Sequence, residues 1–201
     1  MKTMLMSLAA IVVLLGGGVL ALIYSGTYDV AATSKDPAVV RWALHTAMER
    51  SVDRRARGIR PPAGLSLTDP KVVNIGFEHY NEMCVMCHGA PGVNPGEAHA
   101  GLNPEPPDLA DAAREMTSGQ LFWVIKHGIR MTGMPAWGPT HSDAKIWAMV
   151  AFVQALPGIT PDGYREMKRR LTASGQQAEH AHTGDATQVP RRESAHGRQQ
   201  Q

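Results

Sequence analysis

The pattern of apolar and polar residues divides the chain into an apolar start, a mixed centre and a polar end. Between Met4 and Ile23 nearly every residue is apolar, and no charged residue follows until Asp29. A helix of this length spans about 30 Å, which is the thickness of the hydrocarbon core of a bilayer. The pattern therefore predicts a transmembrane anchor over residues 1–25. A cleaved signal peptide is the alternative, although its apolar region is normally shorter.

Residues 26–66 are predicted to form a basic amphipathic helix followed by a linker. Between Pro37 and Gly58 apolar residues recur at helical spacing among charged ones. Five arginines lie toward and just beyond the end of this segment: Arg50, Arg54, Arg55, Arg57 and Arg60. A solvated helix that separates the next domain from the bilayer would explain this charge. Attraction to anionic headgroups or to an acidic partner is the alternative.

Residues 67–172 are predicted to form an all-α domain, because helical apolar spacing alternates with loops rich in glycine and proline. The helices and their caps are expected as follows: from Pro70 to the Cys84 region after Thr68 or Asp69, from Ser118 to Gly128, from the Thr140–Asp143 capping box to Pro157, and from Pro161 to about Leu171. Gly76 is unfavourable within a helix, so close contact with another helix is expected there. From Thr172 onward apolar residues nearly vanish, and residues 173–201 are predicted to be a disordered polar tail.

Both cysteines of the chain lie in the sequence Cys84-Val85-Met86-Cys87-His88. This spacing is typical of a c-type haem attachment site, in which two thiols add to the vinyl groups of one porphyrin and the histidine binds the iron. The motif occurs once, so one covalently bound haem c is expected. A dithiol redox pair, a zinc half-site and a local disulfide are the alternatives. They are disfavoured because no strands flank the motif, no second cysteine pair exists and the enclosed loop is very short.

A second iron ligand is predicted in the segment Thr132-Gly133-Met134-Pro135. Glycine and proline flank Met134, which suits a loop that approaches a flat cofactor closely. Methionine also fills gaps in cores, and the chain has eleven methionines, so Met134 could be a core residue instead. Met131 is the nearest competitor as a ligand. His127 and His141 are further candidates, each more typical of a surface or packing histidine.

The order of these features resembles a class I, mono-haem cytochrome c domain of proteobacterial type, over about residues 70–156. The resemblance is carried by these residues: Gly76, Tyr80, Cys84, Cys87, His88, Gly89, the segment from Thr132 to Ala136, Trp147, Ala151 and Phe152. It implies the class I cytochrome c fold, with Gly76 and Phe77 of the first helix meeting Trp147, Val150 and Ala151 of the last. It also implies that a proline carbonyl, from Pro106 or Pro107, accepts the Nδ1 hydrogen of His88.

These features together predict an electron carrier rather than an enzyme, with His88 and Met134 as axial ligands. Lys2 precedes the anchor, and the positive-inside rule then places the haem domain on the periplasmic side of a bacterial inner membrane. Redox proteins are the expected donor and acceptor, in a respiratory chain. The net charge of +2 gives no argument for nucleic-acid binding, and no small-molecule substrate is expected.

Two alternatives to a free carrier remain open at this point. The same domain could be a permanently docked cytochrome subunit of a membrane dehydrogenase or terminal oxidase. It could also be a haem protein with an open axial position that binds a gas or a peroxide, which requires that Met134 does not ligate iron.

Overall fold

The structure, a computed structural model, describes residues 1–173. Over these residues the chain is helical, and its only β-type pairing is an isolated bridge between Ala90 and Val93. The helices are α1 (Lys2–Ser25), α2 (Ala38–Arg55), α3 (Pro70–Met83), α4 (Val85–His88), α5 (Glu97–Ala100), α6 (Leu109–Glu115), α7 (Ser118–His127), α8 (Asp143–Ala155), a short 3-10 helix (Leu156–Gly158) and α9 (Pro161–Ala173). The all-α prediction is confirmed. From residue 174 onward, the predicted polar tail lies outside the described residues.

Helix α1 is long and apolar enough to cross a membrane. It has 24 residues with a mean hydropathy of 2.5, and none of its side chains is buried against the rest of the chain. The core helix of a soluble protein would be largely covered, so this helix is suited to an apolar surrounding that the chain does not provide.

Helices α3 and α8 cross with their backbones in contact. A Cβ atom at Gly76 would lie 1.9 Å from the carbonyl oxygen of Ala148 and 2.8 Å from the Cβ of Phe152. The expected close contact at Gly76 is therefore present. The nearest atoms belong to Ala148 and Phe152, whereas Trp147 stacks on Phe122 of α7 with ring centroids 4.3 Å apart. Ala148 and Phe152 each follow by one residue a position that the resemblance named, Trp147 and Ala151.

Aromatic side chains fill the space beside this crossing. The ring of Phe77 lies 5.4 Å from the rings of both Phe152 and Tyr164, and Tyr80 lies 4.9 Å from Phe152. All four side chains are at most 3% exposed. Burial of an aromatic side chain of this size contributes roughly 1.5–3 kcal/mol. This core holds α3 in place, and α3 leads directly into the cysteine motif.

Side chains cap α3, α7 and α8 as predicted, but two of the three capping residues differ from those expected. Asp69 caps α3, where its Oδ1 accepts from the backbone nitrogen of Lys71 at 2.9 Å. Helix α7 is capped by Thr117 rather than by Ser118, because Thr117 forms a reciprocal capping box with Gln120. Helix α8 is capped by Ser142 instead of Thr140.

Helix α2 packs through its C-terminal end on the helical domain that follows it. Val52 and Ala56 are buried, and Asp53 accepts a hydrogen bond from Nε2 of Gln120 in α7 at 2.6 Å. Gly119 permits this contact, since a Cβ there would lie 2.6 Å from the carbonyl oxygen of Ile59. The helix predicted after Pro37 is present, but its apolar N-terminal half does not pack on the domain. Val39, Trp42 and Leu44 are 67%, 68% and 55% exposed.

Candidate haem site

The cysteine motif forms one helical turn that continues from α3. The backbone nitrogens of Cys87 and His88 both donate to the carbonyl oxygen of Cys84, at 3.1 and 2.9 Å. Positions i, i+3 and i+4 of a helix share one face, so both sulfurs and the imidazole are on the same side of the turn. One porphyrin that binds two thioethers and an axial histidine requires this arrangement.

The end of this turn is held by Gly89 and Tyr80. Gly89 has φ +65°, and a Cβ there would lie 2.8 Å from the carbonyl oxygen of Val93, so a glycine is needed on both counts. The Tyr80 hydroxyl donates to the carbonyl oxygen of Gly89 at 2.7 Å, and Tyr80 is 1% exposed. The core of the domain therefore fixes the C-terminal end of the motif.

One nitrogen of His88 has a protein partner, which defines the role of the other. Nδ1 lies 2.8 Å from the carbonyl oxygen of Pro107 and must donate, because a carbonyl only accepts. Of the two prolines that the resemblance offered, the structure selects Pro107. Burial lowers the pKa of His88, while the bond to Pro107 acts in the opposite direction. A neutral imidazole with its Nε2 lone pair available is the form that binds iron.

The surroundings of Cys84 suit an uncharged sulfur. Burial, with a smaller contribution from Cys87, raises the pKa of the Cys84 thiol to about 12. A reactive dithiol has a lowered pKa, so a dithiol redox pair is disfavoured. Over residues 1–173 no group of three or more histidine, cysteine and acidic side chains is placed to hold a metal ion. A thioether, by contrast, carries no charge and fits this apolar environment.

The predicted ligand loop is folded so that its two methionines differ in exposure. Thr132 organises the turn, because its hydroxyl donates to the Ile129 carbonyl at 2.7 Å and accepts from the Met134 nitrogen at 3.1 Å. Met134 is half-buried against the core cluster, whereas Met131 is 84% exposed and has φ +59°. A side chain that binds a buried cofactor must point inward, which favours Met134.

The two histidines considered as ligands occupy other surroundings. His127 is exposed at the end of α7, where its ring lies 5.1 Å from that of Trp123. The ring of His141 lies 5.5 Å from Trp137 and 5.4 Å from His79. Both are in aromatic contacts of the kind expected for surface and packing histidines.

A segment between residues 96 and 107 contacts both the cysteine motif and the methionine loop. It falls within the stretch from Asn94 to Leu109, whose glycines and prolines predict an irregular loop around the haem, although α5 lies inside it. His99 lies with Nδ1 2.7 Å from the Cys87 carbonyl and Nε2 2.9 Å from Oε1 of Glu105. Leu102 packs on Gly133, where a Cβ would lie 2.5 Å from a leucine methyl carbon. A histidine six residues before a glutamate in a proline-rich loop was the only available signal.

The residues present therefore fit a covalently bound haem: two sulfurs and an imidazole on one face, a free Nε2, an apolar setting for the sulfur and an inward methionine. Residues 72–153 match the family described as "Cytochrome C oxidase, cbb3-type, subunit III", from α3 to α8. Among curated proteins no significant match is found. Over residues 72–153 the chain thus forms a class I cytochrome c domain, a module that transfers electrons through a haem.

Proposed function

We propose that the protein is a membrane-anchored electron carrier with one haem c, attached at Cys84 and Cys87 and ligated by His88 and Met134. The observation that carries this proposal is the bond from Nδ1 of His88 to Pro107, because it leaves only Nε2 to bind iron. The inward position of Met134 beside the exposed Met131 supports the second ligand.

The bound haem supplies reversible one-electron chemistry at its iron. The chain's own residues hold the two proposed ligands in fixed positions around it. The Pro107 carbonyl fixes the tautomer and ring orientation of His88 and increases its donor strength. Thr132 holds the backbone of Met134, and Leu102 supports Gly133 beside it. A thioether ligand raises the potential of a haem, so a positive potential is expected.

The proposed location is the periplasmic face of a bacterial inner membrane. Helix α1 would be the anchor, with Lys2 on the cytoplasmic side. Residues 26–66 would connect this anchor to a cytochrome domain over residues 67–172. Redox proteins are the proposed donor and acceptor, and contact with them would be small and short-lived.

A second candidate function is a cytochrome subunit docked permanently in a larger complex. The observation that favours it is the description of the matching family, which names an oxidase subunit. Purification of the native protein in mild detergent separates the two functions, because a carrier comes away alone and a subunit brings its complex with it.

The optical spectrum tests the proposed ligands. The oxidised, haem-loaded protein should show the near-infrared charge-transfer band of a methionine-bound ferric haem, and the reduced protein should bind carbon monoxide poorly. Met134→Ala should abolish the band and lower the potential. The matched variant Met131→Ala should change neither. If the native protein lacks the band and its reduced form binds carbon monoxide readily, the site has an open position and is a gas or peroxide site instead.

A further inference from the structure

Helix α2 has an outward face that the described part of the chain does not cover. Val40, Ala43, Leu44 and Ala47 follow the i, i+3, i+4, i+7 spacing of one helix face. Ala43, Leu44 and Ala47 are exposed, and Val40 is half-buried. Val39 lies beside this stripe and is 67% exposed. Such a surface is unusual on a helix that is otherwise bound to its domain.

The same face becomes basic in the C-terminal half of α2. Arg50 and Arg54 continue the spacing of the apolar stripe at i+10 and i+14 from Val40, and both are exposed. The opposite side of the helix carries Val52 and Ala56, which pack on the domain. The stripe of apolar residues followed by arginines therefore points away from the domain. We call it the outward face of α2.

The connection to α1 keeps the start of α2 close to the end of the apolar helix. Twelve residues, Gly26 to Pro37, separate the two helices, and an extended chain of this length reaches at most about 40 Å. The segment is folded rather than extended, because Tyr28 donates to Asp36 at 2.5 Å and the nitrogen of Ser34 donates to the Ala31 carbonyl at 3.0 Å. It also touches the domain, since Asn103 Nδ2 donates to the Ser34 carbonyl at 3.0 Å.

The charges along the chain favour an anionic surface as the occupant of this face. Residues 35–60 contain seven basic and three acidic side chains, whereas residues 71–157 contain five basic and eight acidic ones. An anionic bilayer would thus attract α2 and repel the cytochrome domain. Helix α9 is also basic, but three of its arginines (Arg165, Arg169 and Arg170) are paired with Asp162 or Glu166 within the helix.

We propose that the outward face of α2 lies on the bilayer surface, with its apolar half in the interface and Arg50 and Arg54 on lipid phosphates. This inference rests on the proposed anchoring by α1. Exposed apolar side chains are removed from water when they enter the interface, and exposed arginines are attracted to anionic lipids. Because Val52 and Ala56 attach α2 to the domain, the lipid contact holds the haem at a defined orientation to the membrane.

A spin label on α2 tests the contact directly. If both native cysteines are consumed by the haem, Ala43→Cys introduces the only free thiol of the full chain. The labelled, reduced protein is placed in vesicles of phosphatidylcholine with anionic phosphatidylglycerol. For each label, the collision rate with oxygen is divided by the collision rate with a water-soluble nickel complex. This ratio should be several-fold higher for a label in the interface at position 43 than for a label at Asn74→Cys on the exposed side of α3. Adding Arg50→Gln and Arg54→Gln together should reduce this ratio, and the matched pair Arg169→Gln and Arg170→Gln in α9 should not.

Three outcomes overturn the inference, and they differ in what else they affect. In the first outcome, the protein stays bound to the vesicles in high salt, but the label at position 43 is as accessible to nickel as the label at position 74. Helix α2 is then not on the bilayer, while the proposed anchoring by α1 is retained. If the label is covered only in native membranes, the face binds a protein instead of lipid. If the protein leaves the vesicles in high salt, the proposed anchor fails together with the inference.

Discussion

The carbonyl oxygen of Ala148 occupies the space that any side chain at position 76 would need. A Cβ on Gly76 would lie 1.9 Å from that oxygen, well inside contact distance. Backbone atoms cannot move aside as the end of a side chain can, so the absence of a Cβ sets how closely α3 and α8 approach. The haem motif begins one residue after α3 ends, and its position therefore depends on this crossing.

Gly76→Ala is expected to separate the two helices and to lower the free energy of unfolding by about 3 kcal/mol. The higher helix propensity of alanine offsets only about 1 kcal/mol of the clash. Gly158→Ala is the matched control, because a Cβ there meets nothing within 4 Å. Chemical denaturation of the haem-loaded protein measures both. A loss below about 1 kcal/mol at position 76 would show that the crossing relaxes easily.

Tyr80→Phe is expected to destabilise the protein by roughly 1–3 kcal/mol, because it leaves the carbonyl oxygen of Gly89 without its buried partner. Tyr164→Phe serves as a control. Its hydroxyl donates to Oδ1 of Asn81, a half-buried side chain, at 3.2 Å, so a smaller loss is expected. Equal losses for the two variants in denaturation would contradict a special role of Tyr80 at the end of the motif.

The stability of the protein should depend on pH through His99. Its Nδ1 donates to a carbonyl and its Nε2 lies against a carboxylate oxygen, so both contacts favour the protonated ring over the neutral one. The bond to the Cys87 carbonyl, followed by that to Glu105, raises the pKa of His99. When the pKa is higher in the folded than in the unfolded chain, protonation stabilises the fold. This stabilisation is fully present below the pKa of the unfolded chain, about 6.5, and is lost as pH rises through the pKa of the folded chain.

Denaturation curves measured at several pH values test this dependence. Stability should fall as pH rises above about 6.5, and His99→Gln should remove that part of the fall. Glu105→Gln should weaken it. A pH profile of His99→Gln that matches the native one would assign the dependence to another group.

The sequence was sufficient for the features that depend on local spacing. The Cys84 to His88 motif, the helix that leads into it and the contact at Gly76 all follow from residue types at fixed intervals, and the structure contains the helix and the contact. The preference for Met134 over Met131 rested on its glycine and proline neighbours, and the difference in exposure is consistent with it.

Features that depend on packing between distant segments could not be predicted in the same way. The cap at Thr117 is not of this kind, because Gln120 lies only three residues away and the pair is a local capping-box pattern. Pro106 and Pro107 are chemically equivalent, and the path of the loop selects the second. The partners of His99 are a backbone carbonyl and a loop glutamate, neither of which leaves a periodic pattern.

Covalent attachment of one haem is the claim on which the proposed function depends most. The full chain should be produced in cells that mature c-type cytochromes, denatured, and extracted with acidic organic solvent before its mass is determined. The proposal predicts that the red pigment stays with the chain and that the mass increases by one haem, whereas Cys84→Ala together with Cys87→Ala retains none. Pigment that washes off, or a chain of unmodified mass, would contradict the account.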